Sequence, residues 1–97
     1  MARVAAEEGL ISTAYKRRHR RYSRLHQFSL VFLFAPSSQT YSCPLAMTDG
    51  CARTLELAGS TEISRRVLPH LASRDPRAAW TSGQWMTERT GGSDVGL

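Results

Sequence analysis

One feature limits the fold more than any other: an apolar run that directly follows a basic one. From Leu25 to Ala35 the residues are mostly apolar, with a core about eight residues long, and Pro36 follows. This is far below the roughly 18–20 residues of a membrane span. The run resembles a secretory signal superficially, but its basic part starts fifteen residues into the chain, and no A-x-A cleavage site follows. We therefore expect a helix of a helical domain, buried by its neighbours and ended by Pro36.

Helical patterns occur on both sides of this run. Residues 3–15 alternate small apolar and acidic types, which predicts a helix interrupted near Gly9. Thr48 or Asp49 is a suitable N-cap for a helix to about Leu57. Gly59 fits the position just past its end, where a positive φ is easiest.

Two more helix starts follow. Ser60 or Thr61 can cap a helix whose last turn Pro69 should kink. Asp75-Pro76 predicts a short helix to about Trp80, because proline favours the first helical position. In the helix capped by Ser60 or Thr61, apolar residues recur at helical spacing and form one stripe: Ile63, Val67, Leu68 and Leu71. Arg65 and Arg66 lie outside this stripe and are expected to face water.

Basic charge is concentrated in one short window. The chain carries a net charge of +5, and residues 16–24 hold six of its thirteen basic residues and no acid. Such a run, with Tyr22 and His19 for stacking, can bind nucleic-acid phosphates. The other interpretation is a solvated helix end, since no helix-turn-helix or zinc pattern accompanies the run. The bases are Lys16, Arg17, Arg18, Arg20, Arg21 and Arg24.

The cysteines and histidines do not form the pattern of a metal site or a catalytic site. Two cysteines, Cys43 and Cys51, are too few for a disulfide scaffold, and without paired histidines they cannot complete a zinc site. We expect buried or inert thiols in a reducing, cytoplasmic compartment. No Gly-x-Ser-x-Gly elbow marks a nucleophilic serine.

The last segment changes character. Residues 80–87 are β-prone, and a glycine-containing polar loop follows. Glycines let a backbone approach a ligand closely, and successive N–H groups can receive an anion such as a pyrophosphate. From the residues alone, an ordinary hairpin loop remains the alternative.

The stretch Met86-Thr87-Glu88-Arg89-Thr90-Gly91-Gly92-Ser93-Asp94-Val95 resembles the flavin-binding signature of the acyl-CoA dehydrogenases. Three further segments resemble that family in the right order, in particular its alkylation-response (adaptive-response) branch. They are Ser42 to Gly50, Ser73 to Pro76 and Trp80 to Trp85, so the likeness covers about residues 9–97.

The resemblance implies a mainly α chain: residues 1–79 would be part of an N-terminal helical domain, and residues 80–97 the opening strand of a middle β-barrel domain. It implies FAD as cofactor, an acyl-CoA substrate undergoing α,β-dehydrogenation, and a homo-oligomer for the complete protein. The family's catalytic base lies on a C-terminal helical domain, so the resemblance implies that this chain would be a fragment without a catalytic residue and inactive alone, and Glu88 would not take that role. Thr87 would face the flavin ring, and Ser93 would lie near the pyrophosphate or near the acyl-CoA thioester chain. The implied cofactor-binding residues are Gln84, Trp85, Met86, Thr87, Glu88, Gly91, Gly92 and Ser93.

Overall fold

The computed structural model describes residues 1–85, and these form helices and turns without a strand. Five α-helices follow one another, with single 3₁₀ turns at residues 20–22, 35–37 and 39–41. The helices are α1 (Ala2–Glu7), α2 (Ser12–Tyr15), α3 (Ser23–Phe34), α4 (Ser42–Ala58) and α5 (Thr61–Leu71). The mainly helical fold expected from the sequence is confirmed.

The predicted break at Gly9 separates α1 from α2. Gly9 has φ of +70°, a conformation that residues with a Cβ rarely adopt. The sharp turn places Leu10 and Ile11 beside Ala5 of α1 and Leu45 of α4, and these four side chains form the buried core. Partly buried apolar residues of α3 and the following turn pack against it: Leu30, Val31, Phe34 and Tyr41, together with Tyr15.

Helix α3 forms where predicted, but the expectation that it is buried is wrong for one of its faces. Leu25, Phe28, Phe32 and Leu33 are 64%, 57%, 78% and 73% exposed. A helix that is apolar all round needs neighbours on every side. The core covers one side of α3, and no described element covers the other.

Helix α4 begins at Ser42, so the predicted caps Thr48 and Asp49 are wrong as helix starts. Pro44 occupies the first turn, where a missing N–H costs no helical hydrogen bond. Thr48 lies one turn further on, and its hydroxyl donates to the Pro44 carbonyl at 2.7 Å.

Gly59 does follow α4, but with φ of −70° and an extended backbone rather than a positive φ. A Cβ at this position would lie 2.7 Å from both the Leu55 carbonyl oxygen and the Ser64 hydroxyl. Close approach therefore explains the glycine here.

Ser60 caps α5 as predicted, its hydroxyl accepting from the Ile63 N–H at 3.3 Å. Pro69 lies inside α5, which continues to Leu71. The short helix predicted from Asp75 to Trp80 is instead a single turn over residues 76–78. Asp75 accepts from the Arg77 N–H at 2.9 Å, so it caps this turn, and the backbone then leaves helical geometry.

Candidate functional site

The segment that leads into the predicted cofactor loop is attached to α5. We call residues 75–85 the strap. Trp80 stacks on the His70 ring, with centroids 4.1 Å apart and planes 7° from parallel. The backbone N–H of Trp80 donates to the His70 carbonyl at 3.1 Å, and His70 Nδ1 lies 3.0 Å from the Ala78 carbonyl oxygen. One histidine thus engages the strap through its ring, its ring nitrogen and its backbone.

A second attachment joins the strap to α4. The Ser82 N–H donates to Thr48 Oγ1 at 3.1 Å, and Thr48 is 2% exposed. Because the Thr48 hydroxyl also donates to Pro44, its position is fixed from both sides. Nothing in the sequence pattern distinguishes this role from that of an N-cap, so the contact was missed.

A cavity of about 300 Å³ lies between the strap, α1 and α4. Its walls are mostly apolar, with Ile11, Leu45, Leu71 and Trp80 among the larger side chains. The strap therefore runs along this cavity, and its contacts with His70 of α5 and Thr48 of α4 hold it in place.

The predicted cofactor residues divide into two groups. Gln84 and Trp85 end the described part of the strap, and both are exposed, Trp85 at 96%. The other predicted residues lie outside the described residues: Met86, Thr87, Glu88, Gly91, Gly92 and Ser93. The domain boundary at residue 80 and the loop's role stay predictions.

A polar cluster links α2, α3 and α4. Arg24 Nη1 donates to both carboxylate oxygens of Asp49 at 2.8 Å, and the Tyr15 hydroxyl donates to Asp49 Oδ1 and the Asp49 carbonyl at 2.8 Å. Burial raises the pKa of Tyr15 to about 12; the hydrogen bond with Arg24 lowers that pKa and the one with Asp49 raises it. Asp49 thus fixes the relative positions of three helices.

The six bases of the predicted basic window differ in their surroundings. Arg24 is engaged with Asp49, and Arg17 Nη2 pairs with Glu56 Oε1 at 2.5 Å. Arg21 donates to the Tyr22 hydroxyl at 2.6 Å and lies over that ring at 4.8 Å. Lys16, Arg18 and Arg20 are exposed.

The window adjoins a seventh base that the sequence pattern did not reveal. Arg53 of α4 hydrogen-bonds Glu56, the carboxylate that also pairs with Arg17. In the sequence, Arg53 and Glu56 have the spacing of an ordinary helix-surface pair. The fold therefore extends the basic surface onto α4.

Cys43 is exposed and Cys51 half-buried, and both are free thiols. Within residues 1–85, no three metal-ligating side chains lie close enough together to hold an ion. No helix among them has the length and apolar content needed to cross a membrane.

Comparison with curated proteins finds a relative over nearly the whole chain. The chain is 48% identical over 99 residues to acyl-CoA dehydrogenase family member 11 of Caenorhabditis elegans. That relative belongs to the acyl-CoA dehydrogenase family. The aligned region is 98% of this chain and 16% of the relative. No family model matches the chain.

Two solved structures share the fold. The Bd2924 apo-form superposes with a TM-score of 0.89 at 62% identity, over 97% of this chain and 19% of that one. The crystal structure of Caenorhabditis elegans ACDH-11 in complex with C11-CoA has a TM-score of 0.83 at 48% identity, over 97% of this chain and 16% of that one. The described helices therefore match the N-terminal helical domain of an acyl-CoA dehydrogenase-like structure. The chain spans less than a fifth of the length of either protein.

Proposed function

We propose that this chain is a segment of an acyl-CoA dehydrogenase-like flavoprotein that acts on an acyl-CoA thioester. The observation that carries the proposal is the likeness over 97% of the chain to a structure in complex with C11-CoA. Because the aligned region is a small part of that protein, catalysis belongs to the complete protein. The alkylation-response branch is part of the proposal and rests on the sequence segments alone.

The cofactor in this proposal is FAD, held by residues 84–93. The described part fits such a role because two attachments fix the strap before it reaches the loop, while Gln84 and Trp85 stay exposed. When bound, FAD would accept the hydride from the β-carbon of the thioester. Thr87 would contact the flavin ring, and Ser93 would contact the pyrophosphate or the acyl-CoA chain.

The test is the native protein that carries this sequence. We expect an intact mass several-fold above that of 97 residues and a bound flavin visible in the absorbance spectrum. In that protein Thr87→Ala should lower the flavin content, whereas Thr54→Ala, an exposed threonine of α4, should leave it unchanged. A complete protein without flavin would overturn the proposal.

A second candidate is nucleic-acid binding by the basic window. It is supported by exposed charges on a surface that Arg53 extends beyond the sequence run. Binding to a short single-stranded DNA should weaken steeply with salt and fall in the Arg20→Ala/Arg21→Ala variant. Arg65→Ala/Arg66→Ala on α5 removes the same charge from exposed positions elsewhere and is the control. Equal losses in both variants would mean non-specific attraction and would reject this candidate.

We also propose that the complete protein is a cytoplasmic homo-oligomer. Light scattering of the native protein after size exclusion would test the assembly, and a monomer would reject it. Fractionation of the source cells would test the location.

A further inference from the structure

A pocket of about 270 Å³ lies where the basic window meets α4. Arginine dominates its walls, and among residues 1–85 the only acidic residue lining it is Glu56. The lining residues are Arg17, Arg20, Arg21, Arg24 and Arg53, with Ala14, Ser23 and Glu56. Five arginines and one glutamate line the pocket, so the formal charge of its lining is positive.

The carboxylates nearby neutralise only part of this charge. Burial alone would raise the pKa of Glu56, but the hydrogen bonds from Arg53 and Arg17 outweigh it and lower that pKa, so Glu56 is ionised at neutral pH. Asp49 is engaged by Arg24. Within residues 1–85 neither Arg20 nor Arg21 forms an ion pair, and Arg21 contacts only the neutral Tyr22 hydroxyl among side-chain acceptors.

The backbone that shapes the pocket is strained. Arg17 and Arg20 have φ of 49° and 51°, in the left-handed region that favours glycine. A residue with a Cβ is held there at a cost in conformational energy. The Arg20 N–H donates to the Arg17 carbonyl at 2.9 Å, and the His19 N–H donates to the buried Ser23 hydroxyl at 3.1 Å, so specific contacts fix the shape of the loop. The ion pair between Arg17 and Glu56 joins it to α4.

We propose that this pocket binds a phosphate group, with Arg20 and Arg21 as the main ligands and Arg53 completing the site from α4. The guanidinium fork matches phosphate oxygens in two parallel hydrogen bonds, and arginine is the side chain best suited to such recognition. The phosphate can come from a free phosphorylated compound or from a nucleic-acid backbone. In the second case the inference rests on, and deepens, the nucleic-acid candidate.

The test measures binding of inorganic pyrophosphate to the complete native protein that carries this sequence, by calorimetry at low salt. Arg20→Gly removes one ligand while supplying the residue that the backbone prefers, so affinity should fall about ten-fold, the effect of one lost charged contact. The urea midpoint should not fall. Arg65→Gln is the matched control: it removes one exposed positive charge from α5 and should leave the affinity unchanged.

Glu56→Gln distinguishes a ligand site from a structural network. It removes the carboxylate that competes for Arg17 and Arg53, so pyrophosphate should bind more tightly, whereas loss of a purely structural anchor would weaken binding. No pyrophosphate binding by the complete protein would overturn the pocket, as would unchanged affinity in Arg20→Gly or weaker binding in Glu56→Gln.

A short single-stranded DNA forms the second arm and separates the sources of phosphate. Competition between DNA and pyrophosphate, both weakened by Arg20→Gly, would assign the pocket to a nucleic-acid backbone. Pyrophosphate binding without DNA binding would assign it to a small phosphorylated compound and reject the nucleic-acid candidate. DNA binding without pyrophosphate binding would reject the pocket and leave that candidate standing.

Discussion

Thr48 shows how one hydroxyl can connect two elements. It donates to Pro44 within α4 and accepts from the Ser82 N–H of the strap, while almost fully buried. A buried hydroxyl in this position stabilises the fold because its loss leaves the Ser82 N–H without its partner. The residue therefore matters to the strap more than to the helix that contains it.

Thr48→Val should lower the free energy of unfolding by about 1–2 kcal/mol, because it keeps the side-chain volume but removes both hydrogen bonds. Thr48→Ser retains the hydroxyl and should restore most of the loss. Amide exchange at Ser82 should accelerate in the valine variant alone. Equal exchange in all three proteins would show that the contact does not hold the strap.

The raised pKa of Tyr15 predicts that the free energy of unfolding falls at alkaline pH. Folding raises its pKa from 10.0 to about 12, so the folded state favours the neutral phenol. Its contribution is complete below the unfolded pKa and disappears as the pH rises from about 10 to 12. Urea midpoints across this range should fall for the parent chain, and tyrosinate absorbance should show a late-titrating group at about pH 12.

Tyr15→Phe should remove that late group and reduce the alkaline fall in the urea midpoint. Burial also raises the pKa of Tyr41, so Tyr41→Phe is the informative control and should leave the late Tyr15 titration in place. An identical alkaline fall in the parent and Tyr15→Phe would contradict the assignment.

Among the helices, periodicity and capping predicted α3 and α5 well. Ser60 caps α5 because its hydroxyl accepts a hydrogen bond from the Ile63 N–H, which has no partner within the helix. Helix α4 starts six residues before the predicted cap Thr48, because a proline such as Pro44 is tolerated in a first turn. Thr48 and Asp49 are good caps by type, but tertiary partners decided their roles: the strap for one, Arg24 and Tyr15 for the other. The same reasoning could not find Arg53, since its place beside the basic window depends on how α4 packs.

The exposed face of α3 predicts self-association of the isolated chain. Exposed apolar side chains in a contiguous patch promote association, and Leu25, Phe28, Phe32 and Leu33 lie together beside Ser29. Phe32→Glu/Leu33→Gln should raise solubility and give a single species in size exclusion. Because both side chains are more than 70% exposed, the urea midpoint should change little.

Leu45→Ala is the contrasting variant for this test, since Leu45 is 5% exposed in the core. It should lower the free energy of unfolding by about 2–4 kcal/mol without improving solubility. If the α3 variant loses as much stability as Leu45→Ala, then that face is covered in solution and the helix has a partner.

At the scale of the whole molecule, the core is small for its helices. Seven apolar residues among 1–85 are buried, and three of them are alanines: Ala5, Ala14 and Ala52. The relatives are more than five times as long as this chain. In them, the region that matches this chain folds together with many further residues. The favourable free energy from burying a core of this size only slightly exceeds the conformational entropy cost of folding.

We therefore expect the isolated 97-residue chain to be marginally stable, with a free energy of unfolding below about 5 kcal/mol. Urea titrations followed by circular dichroism at 222 nm, on the soluble Phe32→Glu/Leu33→Gln background, would measure it without interference from association. The transition should be shallow, because little apolar surface becomes exposed on unfolding. A steep transition at several protein concentrations, with a free energy above about 8 kcal/mol, would show that these residues form a self-sufficient domain.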